Sequence, residues 1–576
     1  MVRLSIDWFD PRMKHPLLAK ALLTLRNCLR AHSLRTFIRL IVPVLLLALA
    51  LENRVGATDL PPGTKLHPSQ SIIIGNGSEP ATLDPGKIEG VPEFSLTLEL
   101  FEGLITQDAS GKIIGGVAEK WESKENSKLW TFTLRKSARW SDGTPVTAGD
   151  FEYAFKRMVD PRTASNYSWY LGIACKILNA TAIVEGKKPP AELGVTALND
   201  HTLQIRLESP VAFLIAVLNN AALSPVPRKQ IEKFGERWTE PANMISNGPF
   251  RLSERIVNER IVVVRNPMYW NNARTVIDKV TFLPISNQSA GYQRYRSDAI
   301  DMTENGGVPS ELLAQIRRDI PNELAIWPSL GTYFYVFNLR LKPFDDPRVR
   351  RALSLAINRD VIVRQILGTD EHAAYSFTPE ITEGYKPVIH EWEQLSQVQR
   401  DAEARKLLGE AGYSAEKPLK VPLLYNSNEQ HKKIALAIAA MWKRVGSVEV
   451  ELVNQEWKSY LDSINRGEFS VARRGWLATY NEPSVMLDMF HSKHGANDGK
   501  YNNPKYDEIV ERAKATADVG DRLKLYQEAE RILAQDVPVA TVYHYSNRRL
   551  IKPWVMGYGQ DPLGRIQARD LYIVRH

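Results

Sequence analysis

Residues 420–454 read KVPLLYNSNEQHKKIALAIAAMWKRVGSVEVELVN, and their pattern decides the fold. The apolar run KVPLLYN reads as a strand that breaks off at a polar Ser-Asn-Glu cluster. Ile434, Ala437, Ile438, Met441 and Trp442 then recur at helical spacing. Gly446 supplies the stop, and VEVELV (448–453) reads as a second strand. A strand, a helix and a strand with so short a return predict a right-handed crossover and a parallel pairing, hence an α/β chain. In open α/β sheets the ligand crevice lies beyond the carboxyl ends of such strands, which places Asn426, Asn428 and His431 at its edge. His431 fits equally well as a solvated residue at a helix start.

Working outward, residues 471–483 (VARRGWLATYNEP) set a guanidinium, a glycine and an indole between a strand-like segment and a helix start. Arg473 offers a planar fork of donors, Gly475 lets a ligand approach the backbone, and Trp476 offers an apolar wall. That set suits a ligand with amide and carboxylate groups. A buried Trp beside a surface Arg in an ordinary loop would have the same sequence. Trp130–Arg135 and Thr202–Leu207 alternate as strands do. Thr147 and Asp150 form a capping box ahead of the apolar face Phe151, Ala154, Phe155, Met158. Asp346 and Pro347 occupy N-cap and N1 positions before Val349, Ala352, Leu353, Ala356 and Ile357.

At 576 residues the chain is too long for one core, and two to four domains are expected. The formal charge of +8 is concentrated at one end. Residues 1–57 hold nine of the 74 Lys/Arg and three of the 66 Asp/Glu, which leaves 65 basic and 63 acidic residues in the remainder. Nothing in that balance argues for nucleic acid or an anionic membrane. Within the basic segment, LIVPVLLLALAL (40–51) is too short to span a bilayer, where about 20 residues are needed, and small residues follow it. Residues 1–57 therefore read as an export signal, with cleavage after Ala50 or Ala57 and a start at Met1 or Met13. Cys28 lies in that segment, and Cys175 is left alone as an expected buried apolar residue.

Catalytic signatures are missing: there is no GxSxG elbow, HExxH or Walker loop, and the 11 histidines show no metal-ligand spacing. No catalytic residue, metal or cofactor is expected. A binder fits the chain better than an enzyme.

The chain resembles the solute-binding components of peptide ABC importers, most closely the oligopeptide- and murein-peptide-binding type. The likeness spans roughly residues 70–576 and rests on LDPGKIEGVPE (83–93), LFEGL (100–104), ARWSDGTPVTAGDF (138–151), VDPRTASNY (159–167), YRSDAIDMT (295–303), LVNQEW (452–457), GW (475–476) with YNEP (480–483), and LIKPW (550–554). It implies the bilobed, type II periplasmic-binding-protein-like fold of the large peptide-binding class. Lobe I would comprise 58–102, 227–328 and 547–576, an extra domain 103–226, and lobe II 329–546, with a hinge near 329 and 546. The implied role is to close around an extended peptide in the periplasm and deliver it, as a monomer, to inner-membrane permease subunits and their ATPases. A periplasmic peptide-processing enzyme and a sensor or chaperone adaptor are the alternatives.

Carried over by position, the resemblance implies a ligand-pairing strand segment at Glu89 and Val91, a cleft aromatic at Tyr167, and a carboxyl-end group at Asn426 and His431. His431 would be a positive group for a terminal carboxylate. Arg473, Gly475 and Trp476 would floor the cleft, and Tyr545 would offer a hydroxyl near the amino end. The family's amine-anchoring aspartate is Thr479 here; a cleft glutamate and a cleft arginine are Ala299 and Ile464, with Arg466 nearby. Gly331 and Leu477 stand at the two positions of the relatives' disulfide, so both halves are missing together. The loss of the aspartate points to a ligand without a free α-ammonium, such as an N-blocked or murein-derived peptide, unless Glu482 or Glu89 takes the amine.

Overall fold

The computed structural model describes residues 60–576 apart from 369 and 517. The export signal and its cleavage motifs lie outside the described residues. No described helix is long and apolar enough to cross a membrane.

The 420–454 region folds as its pattern requires. Strand Leu419–Asn426 pairs in parallel with Val448–Gln455, Leu419 opposite Val448 and Asn426 opposite Gln455. Helix Glu429–Arg444 connects them, its N-cap Asn428 accepting a hydrogen bond from the His431 N–H at 3.1 Å. Gly446, at φ +88°, takes the left-handed turn after the helix that a side chain would resist. Ile434, Ile438, Met441 and Trp442 are buried, and Ala437 lies at the half-buried edge of the stripe. Burial of each large side chain contributes about 1.5–3 kcal/mol. The Trp442 indole N–H donates to the Leu353 carbonyl at 2.8 Å, so no polar atom is stranded.

These strands form one side of a six-stranded mixed sheet in the order His372–Ala373, Val539–Leu550, Leu324–Phe337, Val471–Leu477, Leu419–Asn426, Val448–Gln455. A four-stranded sheet of Ser71–Gly75, Lys279–Leu283, Arg260–Arg265 and Phe250–Ile256 anchors the other lobe. A third sheet, all antiparallel, orders Ala118–Lys124, Leu129–Leu134, Thr202–Arg206 and Val195–Asn199. Helix Ala148–Val159 covers it, started by the Thr147/Asp150 capping box, with Phe151, Ala154, Phe155 and Met158 buried. Helix Pro347–Leu355 likewise starts on Asp346, which accepts from the Arg348 N–H at 2.8 Å. The result is the bilobed α/β fold with a smaller extra unit that the resemblance implied.

Two long strands, Leu324–Phe337 and Val539–Leu550, pair antiparallel along the join, and their register shifts between Pro328 and Thr332. Gly331 faces Leu477 directly across the neighbouring ladder. A Cβ on Gly331 would overlap the Leu477 side chain, so the glycine leaves room for that leucine. Cys175 is fully buried, and burial pushes its thiol well above the usual range, as an inert apolar residue requires.

Candidate functional site

Strand Val471–Leu477 runs between Leu324–Phe337 and Leu419–Asn426, setting Tyr335 opposite Arg473 and Tyr333 opposite Gly475. Arg473 donates from Nη2 to Tyr545 Oη at 2.9 Å and weakly from Nη1 to Asn426 Oδ1 at 3.5 Å. Its guanidinium carbon lies 4.7 Å from the centre of the Tyr333 ring. Its Nε is buried without a partner. Burial raises the phenols of Tyr333, Tyr543 and Tyr545 above their ordinary range, so these rings are neutral and offer dipoles, not counter-charge. Among the described residues no carboxylate pairs with Arg473. Gly475 is required here, since a Cβ would overlap Tyr545 Oη and displace it from Arg473.

Asn426, the last residue of its strand, also meets His431 Nδ1 at 3.1 Å through Oδ1. The His431 ring lies 5.7 Å from the Tyr333 ring. Burial, and then the charge of Arg473, hold His431 well below the ordinary histidine range. With no carboxylate beside it among the described residues, the ring is held in its neutral form. Tyr545 Oη accepts from Arg473, which sets it in the same group as Asn426 and His431.

A second group is aromatic. Tyr167 stacks on Tyr170 at 5.2 Å and lies 5.0 Å from Trp169, while Asn220 donates to Tyr167 Oη at 3.3 Å. Trp476 lies 6.3 Å from Trp169 and 5.7 Å from the His494 ring, and its indole N–H donates to the Val485 carbonyl at 2.6 Å. Thr479 Oγ1 is 3.4 Å from Tyr170 Oη. The carbonyl of Thr479 accepts from Arg565 Nη2 at 2.8 Å.

Glu89 and Val91 do not form a strand. Gly90 caps helix Val91–Leu100, with Pro92 in its first turn and Glu93 closing the capping box. Val91 is therefore the first helical residue and is 49% exposed. Glu89 accepts from Asn465 Nδ2 at 3.3 and 3.4 Å, and burial raises its carboxyl. Glu482 is committed elsewhere: it pairs with Arg522 at 3.1 Å and accepts the Ser484 N–H at 2.8 Å. Ile464 is buried, Ala299 is exposed, and Arg466 pairs with Glu468 at the surface. Among the described residues, no group of three or more His, Cys, Asp or Glu could hold a metal.

Sequence reading missed Tyr333, Trp169, Tyr170, His494 and Arg565. The aromatic run YSWY (167–170) was a visible signal for Trp169 and Tyr170, and the alternation of TYFYVF (332–337) for Tyr333. Arg565 carries no local pattern.

Polar contacts join the two lobes around these groups. Glu429 accepts from Asn287 Nδ2 at 2.6 Å and from Ser289 N and Oγ, both at 3.3 Å. One helical turn on, Lys433 pairs with Glu311 at 2.6 Å.

The model of bacterial extracellular solute-binding proteins, family 5 Middle, matches residues 112–498. The periplasmic oligopeptide-binding protein OppA of Salmonella typhimurium is 48% identical over 538 residues, covering 93% of this chain and 98% of the relative. The crystal structure of Haemophilus influenzae OppA in complex with RPPGFSPFR is 43% identical, with a TM-score of 0.86 over 89% of this chain and all of that one. The Escherichia coli murein tripeptide binding protein MppA is 45% identical with a TM-score of 0.87, over 89% of this chain and 100% of that one. An unliganded open form of MppA, at the same 45% identity and over 90% and 99% of the two chains, reaches only 0.64. The lobes described above thus stand in a closed arrangement.

Proposed function

The chain belongs to the bacterial extracellular solute-binding proteins of family 5, and from that premise we propose that it captures oligopeptides in the periplasm for an ABC importer. The lobes close on the peptide and present it, bound to a single receptor chain, to the inner-membrane permease subunits and their ATPases. The chain binds and does not convert its ligand. Segments 58–102, 227–328 and 547–576 form lobe I, 103–226 the extra domain and 329–546 lobe II, with closure turning on the register shift between Pro328 and Thr332.

One observation carries this reading. Arg473 is a guanidinium in a tyrosine cradle, on a central strand of the six-stranded sheet, with a buried unpartnered Nε and no carboxylate of its own. Such a group costs stability until an anion arrives, and a peptide's terminal carboxylate matches its fork of donors. Asn426, His431 and Tyr545 frame the same end. Glu89, Tyr167, Gly475 and Trp476 line the ligand's course, and Val91 flanks its entrance.

Thr479 supports a narrower reading. An ammonium enclosed by closed lobes needs a counter-charge, which Thr479 and the committed Glu482 do not supply, so that of Glu482 and Glu89 only Glu89 could. Peptides whose amino end is blocked fit better, the murein-derived peptides named for one relative being a chemically reasonable source. The test uses protein lacking residues 1–57, unfolded and refolded to strip ligand, with its thermal midpoint followed against a free tripeptide, its N-acetyl form and an anhydro-muropeptide. A ligand at 100 times its Kd should add about 2.7 kcal/mol. Stabilisation by blocked forms alone supports the narrower reading; equal stabilisation by the free tripeptide removes it and leaves a general oligopeptide receptor.

A further inference from the structure

Arg565 is the second guanidinium in the region without an ionic partner. It donates from Nη1 to Gln107 Oε1 at 2.9 Å and to the Asn219 carbonyl at 3.2 Å, and from Nη2 to the Thr479 carbonyl at 2.8 Å. All three acceptors are neutral, so its charge is positioned but not cancelled. The carboxylate whose field reaches it, Asp561, forms no ion pair with it; Asp561 instead accepts from Gln107 Nε2 at 2.5 Å and the Leu563 N–H at 2.9 Å. By contrast Arg569, four residues on, pairs with Glu102 at 3.1 Å. Through the carbonyl it holds, Arg565 is tied to Thr479, whose Oγ1 lies 3.4 Å from Tyr170 Oη. It therefore sits at the aromatic group that contains Thr479, remote in sequence and adjacent in space.

We infer that Arg565 is a specificity-determining residue that turns the ligand's amino-end subsite from one for an ammonium into one for an acyl group, and favours an anionic acyl group over a neutral one. The inference rests on the peptide-receptor reading above. An ammonium placed beside Thr479 would meet a like charge within the range where such pairs repel. An acyl carbonyl accepts from the guanidinium, and a carboxylate on the acyl group gives it the counter-ion it lacks. The same geometry gives a diagnostic coupling. Arg565 holds the Thr479 carbonyl at 2.8 Å, so an aspartate introduced at 479 would carry its charge in the field of that guanidinium, and an acid there alone should not restore free-amine binding.

The experiment measures dissociation constants by calorimetry for a tripeptide with a free, an N-acetyl and an N-succinyl amino end. In the wild type the succinyl form should bind at least about tenfold more tightly than the free form, with the acetyl form between. Arg565→Asn should erase the succinyl preference and Arg565→Lys keep it; ratios between ligands cancel any general loss of folding. Thr479→Asp should recover free-amine binding only when combined with Arg565→Asn. Equal binding of succinyl and acetyl forms by the wild type, a comparison that needs no variant, overturns the inference, as does a ratio unmoved by Arg565→Asn. Failure of all three peptides to bind sinks the peptide-receptor reading itself, and this inference with it.

Discussion

Replacing Arg473 by Gln should move stability and binding in opposite directions. In the ligand-free protein the guanidinium has one good hydrogen bond, at 2.9 Å to Tyr545, one long one at 3.5 Å to Asn426, and the face of Tyr333 at 4.7 Å. A hydrogen bond to a charged group contributes about 1.5–3 kcal/mol, and a cation–π contact about 0.5–2. Against these stands the burial of a guanidinium with no counter-charge, which costs several kcal/mol. The two sides are of similar size, so the unliganded Gln variant should melt at the same temperature as the wild type or slightly higher. Binding goes the other way. A ligand carboxylate left unpaired between closed lobes loses about 3–5 kcal/mol, which is about two to four decades of affinity. Calorimetric titration and thermal melts of refolded protein, with and without peptide, read both quantities. Binding within about threefold of wild type would refute the carboxylate role. An unliganded midpoint lowered by several degrees would show that the tyrosines already satisfy the charge.

Three further outcomes follow from the same geometry. A carboxylate beside His431 favours the charged ring that burial now disfavours, so binding at pH 6 should take up as much as about one proton and tighten as pH falls from 7 to 5. Titration in two buffers of different ionisation enthalpy measures this, and zero uptake removes His431 from the carboxylate end. Burial, and then His372, hold His544 at about 3, so the unfolded chain protonates first and stability intact above about pH 6.5 is lost toward 3, by about 1.4 kcal/mol per pH unit. His544→Gln should therefore lose about 2 kcal/mol less than wild type between pH 6.5 and 5, in denaturant titrations at each pH; equal losses would refute the depressed value. Finally, Gly331→Cys with Leu477→Cys should close a disulfide across the ladder and stabilise by roughly 4–5 kcal/mol in the chain-entropy account; in protein lacking residues 1–57, Cys175 alone should titrate as a thiol once the oxidised protein is denatured.

Local signals carried the fold. The 420–454 unit was legible because strand, cap, apolar stripe and glycine stop are each written within a few residues, and the structure departs from that reading only at the edge, at Ala437. Arg473, Gly475 and Trp476 were legible as a set, although the reason for the glycine, room for Tyr545, needs the neighbouring strand. Val91 was misread through analogy when its own neighbours held the answer: Pro92 and Glu93 after Gly90 spell a helix start. The charge state of His431 was not legible, because it depends on Arg473, 42 positions away, and on burial that no local window reports. Arg565 was invisible for the same reason in a stronger form, being 86 residues from the carbonyl it holds.

The character of the closing contacts bears on how such a receptor releases its cargo. Glu429 meets lobe I through one short and two long hydrogen bonds, and the Lys433–Glu311 pair is 41% and 44% exposed. Glu89 and Asn465 meet only at 3.3–3.4 Å. Exposed pairs of this kind contribute about 0–1 kcal/mol each, whereas stronger contacts join 103–226 to 329–546: Lys176 pairs with Glu511, and buried Lys514 donates to the Ile173 carbonyl at 2.7 Å. Moving a two-state equilibrium from 1:99 to 99:1 takes about 5.5 kcal/mol of differential affinity. A carboxylate docking on Arg473 is worth about 3–5 kcal/mol, but Arg473, Asn426, His431 and Tyr545 all belong to 329–546, so only the part gained when the other lobe shields it from water favours closure. Opening the lobes returns that carboxylate to water, and its affinity falls.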